Sequence, residues 1–294
     1  MRSDIACGWC PDVPDLRDFE VDDRRVSLEL DRFHVATSVD LREDGLDILN
    51  GNSQGEAITC ATSVLSMLDW MSRKWTGARI EASPVFLHKM TIRYSGGGGL
   101  LGVGLRASLK SLVRFGSPPP RLLESVAGCQ IDDQQPIPDD PTLFGFARDF
   151  QNLVYVRLDA STARTKQRIA RIKQWLSSGN PCLLGFCVPI ALSQSDSQEI
   201  PFDSRRDGTR GGSASVVMGY DDEYELRYKA RHPLITERNQ SKGAFLLRTC
   251  WGNNWGEDGY CRLPYAYLET GMAMDAWAVH RHDWLREQRH LQSH

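Results

Sequence analysis

Cys60 is the residue with the clearest capacity for chemistry. It stands at the start of TCATSVLSMLDWMSRKW (59–75), where Val64, Leu65, Leu68, Met71 and Trp75 recur at three- and four-residue steps. That spacing predicts a helix with one apolar face, and Thr59 is placed to cap its beginning. A thiol at a helix N-terminus feels the positive end of the macrodipole, which lowers its pKa. Gln54, followed by Gly55, precedes the thiol on the same stretch. Amides at the helix end and the Gln54 side chain supply donors for an oxyanion. A nucleophilic thiol with oxyanion donors is equipment for attack on an acyl carbon.

Such a thiol needs elements to hold it and its partners. SPVFLHKMTIRY (83–94) reads as a second helix, and LRASLKSLVRFG (105–116) as a third, closed by Gly116. SGGGGLLGVG (95–104) between them reads as a turn or loop. PPP at 118–120 opens a stretch expected to run irregularly to Pro141, as a crossover between lobes. NLVYVRL (152–158) reads as a strand and TARTKQRIARIKQWLSSGN (162–180) as a basic amphipathic helix closed by Gly179. PCLLGFCVPI (181–190), SASVVMGY, GAFLLRTCWG and GYCRLPY read as strands, with a polar loop over 191–210. Helices in the first half and strands in the second indicate an α+β protein of two lobes. Residues 1–38, rich in Asp, Arg and Pro, read as an arm lying over the folded body.

Composition narrows the classes. The chain has 294 residues, 41% apolar and 25% charged, with a net charge of -3. That balance gives no electrostatic case for nucleic acid or an anionic membrane. No apolar run reaches the roughly 18 residues of a membrane span. The first residues lack the apolar core of a signal peptide, so a cytoplasmic location is expected. Eight cysteines spread over such a chain argue against a disulfide framework. Cys7-Gly-Trp-Cys10 lacks the strand and helix of a redox motif, and no second pair or matching histidines complete a zinc site. GGGGLLGVGL lacks the Lys-Ser/Thr of a phosphate loop. The cluster Arg164, Lys166, Arg168, Arg171 and Lys173 reads as a solvated helix face. No cofactor and no metal are expected.

The stretch VDLREDGLDILNGNSQGEAITCATSVLSM (39–67) resembles the nucleophile segment of the papain-like cysteine peptidases. The similarity continues in SGGGG (95–99), GGSASVVMGYDD (211–222) and, most specifically, RTCWGNNWGEDGYCRLP (248–264). GWCPDVPDLRD is similar to the arm of bacterial members without a signal sequence. The resemblance implies a papain-like two-lobe α+β fold: a helical left lobe over about 39–140, a β-barrel-like right lobe over about 141–280, and an active cleft between them. Residues 1–38 would be an arm and 281–294 a tail. By the same resemblance, Cys60 is the nucleophile, Gln54 the oxyanion-hole glutamine and Trp251 the shield of the catalytic pair. Gly97, Gly98 and Gly212 would bind substrate. Two positions depart: Ser213 stands where the family has its general-base histidine, and Thr249 where it has the asparagine that orients it. Ala61 replaces the tryptophan that usually follows the nucleophile, and Ala57 a cysteine that usually forms a disulfide.

The departures bear on the leaving group. Without the histidine, the thiol should titrate nearer about 8.5. An amide nitrogen cannot leave as an anion, so the missing general acid removes a further factor of roughly 10²–10⁴. Ser213 and Thr249 donate hydrogen bonds but are neither acids nor bases near neutrality. A thioester releases a thiolate and needs no proton. The first reading is therefore Cys60-dependent acyl or thioester chemistry (acyl transfer, hydrolysis or cyclisation) on an acyl-thioester carried by a carrier protein or coenzyme A. The alternative is a catalytically inactive pseudopeptidase whose cleft binds a peptide or protein partner. A second alternative is an active cysteine peptidase with an unconventional base. The candidate bases are His34, His88, His232, His280, His282, His290 and His294, each more simply read as a surface or core residue, with His280 and His282 at the start of a basic C-terminal tail. Asp221 and Asp222 lie too far along their strand.

Overall fold

The computed structural model describes residues 8–15, 17–20, 32–44, 58–96, 102–131, 135–160, 163–190, 192, 198–202, 208–227 and 240–280. Gln54, Ala57, Gly97, Gly98, His232, His282, His290 and His294 lie outside them.

The central helix α1 (Thr59–Thr76) is buried almost all round, from Thr59 through Leu65 and again over Met67–Ser72, apart from the half-buried Ser66. A helix enclosed in this way lies inside a core rather than on a surface. One side packs on α2 (Pro84–Tyr94) and α3 (Leu105–Phe115), the other on the sheet. Gly77, in the left-handed conformation, ends α1 by donating its N–H to Arg73. Ser83 caps α2 by accepting the Phe86 N–H at 3.2 Å, with Pro84 in the first turn. Thr59 does not cap α1. The cap position is Ile58, and the Thr59 hydroxyl instead accepts a strand N–H described below.

The polyproline stretch is not wholly irregular. Pro120 begins a short helix, α4 (Pro120–Ala127), because a proline costs nothing in a helix's first turn. Leu123 and Leu143, from a 3-10 helix over Pro141–Asp149, join Phe86, Met90 and Ile131 in a small second core.

The second half forms a seven-stranded antiparallel sheet in the order β2-β7-β3-β4-β5-β6, with β1 also paired to β4. The strands are β1 (Ser38–Asp40), β2 (Val154–Arg157), β3 (Cys182–Pro189), β4 (Thr209–Arg227), β5 (Gln240–Arg248), β6 (Tyr260–Pro264) and β7 (Ala273–His280). Strand β7 was not among those expected from sequence, and it includes His280, assigned above to the tail. AMDAWAVH is almost uniformly buried and so shows no alternation. Helix α5 (Thr165–Ser177) packs on β3 and β4, and a short α6 (Ala266–Glu269) follows β6. One member of the basic face of α5 turns inward: Lys173 pairs with Asp222 at 2.6 Å over the Tyr220 ring. None of the described helices is long and apolar enough to cross a membrane.

Candidate active site

Cys60 is the second residue of α1 and has no exposed surface. Its thiol donates to the Val103 carbonyl at 3.2 Å. The residues flanking it stitch α1 to β4. The Ala214 N–H donates to Thr59 Oγ1 at 3.3 Å, and Ser63 Oγ donates to the Ala214 carbonyl at 3.0 Å. Ser213, adjacent in β4, therefore lies at the same junction as Cys60. It is fully buried, and its hydroxyl has no hydrogen-bond partner among the described residues.

Thr249 and Trp251 follow β5. The Thr249 hydroxyl donates to Gly259 O at 3.1 Å and its main-chain N–H to the same oxygen at 3.0 Å. That hydroxyl is spent on its own turn. Phe186 on β3 pairs with Ser213, and its ring meets Trp251 edge-on at 5.9 Å. Trp251 in turn meets Trp255 at 4.5 Å. Phe186, Trp251 and Trp255 thus form a run of edge-on ring contacts beside Ser213.

The thiol is not activated. Burial first, and then the negative charge of Asp12, push it well above its ordinary value. The lowering expected from the helix end is outweighed because a sealed sulfur loses the water that would solvate a thiolate. Of the described histidines, His34 is exposed, His88 is buried on α2 and His280 pairs with Val154 at the end of β7.

The chain's own N-terminal arm runs beside the sulfur, joined to the carbonyl that accepts its thiol. Gly8 and Trp9 both donate their N–H to Gly212 O, at 2.8 and 3.0 Å. Val103 donates to Gly8 O at 2.8 Å, and Cys10 donates to Val103 O at 3.1 Å. The arm thus bridges a residue before α3 on one lip and β4 on the other. Trp9 is 3% exposed, its indole laid over Gly185 and Gly212. A Cβ on either glycine would overlap Trp9, so the arm's close approach depends on both. Gly212, expected to bind substrate, binds this segment.

Further along, Asp12 anchors the arm. Its carboxylate accepts the Arg106 N–H at the start of α3 (2.9 Å) and Trp277 Nε1 on β7 (3.2 Å), while its own N–H donates to Asp275 Oδ2 at 2.8 Å. Arg106 also holds Asp18 at 2.7 Å and the Val13 carbonyl at 2.6 Å. Arg157 contacts Asp275 at 2.9 Å, Asp159 at 3.1 Å and Asp18 at 3.6 Å, and its N–H donates to Phe19 O at 2.7 Å. The carboxyls of Asp18, Asp159 and Asp275 thus gather on the guanidinium groups of Arg106 and Arg157, with Asp12 held beside them by the Arg106 main-chain N–H. Burial, and then the neighbouring Asp12 charge, push Asp275 up to about 7, and burial also raises Asp12 and Asp159. Val103, Trp9 and this acid cluster were not legible as site residues. The available hints were the small residues around Val103, a tryptophan in a polar arm, and glycines inside strands. Among the described residues no group of His, Cys, Asp and Glu could hold a metal ion.

A helical half and an antiparallel sheet joined at a cysteine on the first turn of the central helix define the α+β fold of the papain-like cysteine proteases. Xylellain, a cysteine protease from Xylella fastidiosa, superposes with a TM-score of 0.68 at 22% identity, covering 93% of this chain and 95% of that one. Procathepsin B S9 from Trypanosoma congolense gives 0.57 at 15% identity over 94% and 86% of the two chains. In sequence, an uncharacterized peptidase C1-like protein, L477, of Acanthamoeba polyphaga mimivirus is 28% identical over 138 residues. That match takes in 45% of this chain and 39% of the viral protein, so it spans about two fifths of the relative's length. No protein-family model matches the chain.

Proposed function

We propose that this protein uses a papain-type cleft to grip extended peptide without hydrolysing it. The observation that carries this reading is the segment Gly8–Cys10, held by main-chain hydrogen bonds to Val103 and Gly212 on opposite lips. Main-chain pairing of this kind binds an extended segment whatever its sequence, and the pocket around Trp9 adds selectivity for an aromatic side chain. The chemical groups support the same view. Ser213 offers no base, the Thr249 hydroxyl is committed to Gly259, and Cys60 is a sealed, protonated thiol. This order reverses the sequence-based preference, because a cleft filled by peptide and a buried sulfur favour binding over catalysis.

The test is a fluorescent peptide with the sequence of residues 3–20, titrated against an Asp12→Ala variant whose arm is loosened. Saturable binding, unchanged by adding Cys60→Ala and without cleavage, is expected. Cleavage that Cys60→Ala abolishes would overturn the proposal.

A second reading is favoured by the place of Cys60 in the first turn of α1, where the helix end stabilises an oxyanion. Once the arm is displaced, Cys60 would exchange with an acyl-thioester delivered by coenzyme A or a carrier protein, since a thiolate leaves without a proton. Incubation of the Asp12→Ala variant with acyl thioesters would then leave an acyl mass adduct on Cys60. The absence of any adduct at mildly alkaline pH removes this reading.

A further inference from the structure

We infer that Cys10 and Cys60 form a reversible disulfide that locks the arm in the cleft under oxidation. The inference rests on the arm being the cleft's occupant, as proposed above, and adds a means of regulating it. The two cysteines meet at one atom. The Val103 carbonyl accepts the Cys10 main-chain N–H at 3.1 Å and the Cys60 thiol at 3.2 Å. The Cys10 thiol lies against the preceding carbonyl, Gly102 O, at 3.5 Å. Both sulfurs thus contact carbonyls of the Gly102–Val103 pair, Cys10 from the arm and Cys60 from α1. Both are free thiols in this structure.

Their exposure sets the order of events. Cys10 is half-buried and Cys60 fully buried, so a soluble oxidant reaches Cys10 first. With a low-molecular-weight disulfide such as oxidised glutathione, the Cys10 thiolate attacks one sulfur of the oxidant. The oxidant's S–S bond breaks, a Cys10–glutathione disulfide forms and one glutathione thiolate leaves. The Cys60 thiol then attacks the Cys10 sulfur, its proton passing to the glutathione sulfur that is displaced. The Cys10–Cys60 bond forms and the second glutathione leaves. Two protein thiols are oxidised and one glutathione disulfide is reduced to two thiols. The burial that raises the Cys60 thiol also makes it a poor leaving group, so the lock is slow to open while the arm stays docked. This gives Cys60 a use in a cleft that lacks a base: it is the resolving sulfur of a latch. It also separates the latch from the Cys7-x-x-Cys10 pair, which would close a small loop within the arm and fasten nothing.

The experiment uses the full chain carrying Cys7→Ser, because Cys7 and Cys10 share a tryptic peptide. The protein is treated with oxidised glutathione, quenched with iodoacetamide and digested without reduction. The expected product is the peptide containing Cys10 joined to that containing Cys60, two hydrogens lighter than the two peptides together, and lost on treatment with dithiothreitol. A parallel Cys60→Ser sample is expected to stop at the Cys10–glutathione adduct. If glutathione stays on Cys10 in the presence of Cys60, or if Cys60 pairs with its buried neighbour Cys250 instead, the inference is wrong. Because the readout is a covalent link, it stands or falls separately from peptide binding.

Discussion

The Asp275 carboxylate accepts the Asp12 N–H through one oxygen at 2.8 Å and Arg157 through the other at 2.9 Å, tying the N-terminal arm to strand β7. Burial, and then the Asp12 and Asp159 charges beside it, push Asp275 up to about 7 from the ordinary 3.8 in spite of Arg157. The folded, docked state therefore binds a proton that the unfolded chain has released. Stability from this group is greatest at acid pH, falls as pH rises above about 4 and levels off beyond about 7. Asp40, lowered by its Arg42 partner, acts below that window. The melting temperature is expected to be higher near about pH 5 than near about pH 8, and Asp275→Asn to remove most of the difference. A wild-type protein that melts higher at the alkaline pH contradicts this.

Asp12→Ala should loosen the arm. It leaves the Arg106 N–H and Trp277 Nε1 without their acceptor, at roughly 1–3 kcal/mol for each donor that stays buried. Part of that loss is offset, because Asp275 no longer faces a second carboxylate. The variant should therefore lose stability in chemical denaturation and show a shallower pH dependence than wild type.

Gly185→Ala should displace the arm without touching it chemically. The new methyl would occupy the space of the Trp9 indole. Expected outcomes are a red shift in tryptophan emission and faster alkylation of Cys60 by iodoacetamide. Adding Trp9→Ala should leave Cys60 reactive while recovering the stability lost to overlap, which on core overpacking is roughly 1–3 kcal/mol.

Ser213→His alone should not create a peptidase. Position 213 has no exposed surface, so an imidazole there overpacks the α1–β4 junction, and the melting temperature should fall. The arm still covers the sulfur, and Thr249 cannot orient the ring. Combined with Thr249→Asn and Gly185→Ala, it should yield hydrolysis of fluorogenic peptide amides that Cys60→Ala abolishes. Activity in Ser213→His by itself would show that the arm does not block the cleft.

Where periodicity is clean the elements were legible. The apolar steps from Val64 to Trp75 marked α1, and Ser83-Pro84 marked the start of α2. Strand β7 escaped because burial on both faces erases alternation, and α4 because a proline run hides a helix whose first turn tolerates it. Cys60, Ser213, Thr249 and Trp251 were singled out from the motifs around them, and the fold places Ser213 near Cys60 through Ala214.

The residue types were fixed by the chain itself: a thiol at a helix start, and hydroxyls at Ser213 and Thr249, which are neither acids nor bases near neutrality. The tertiary structure decided the state of that thiol. Helix-end electrostatics, which sequence can anticipate, favour a thiolate. Desolvation depends on what covers the sulfur, and here that is a segment fifty residues away in sequence, from Gly8 to Cys10. Contacts between residues so far apart, and the carboxyl crowding around Asp275, arise only when the arm, α3 and β7 meet. No local pattern encodes them, because the free energy lies in burial shared by all three.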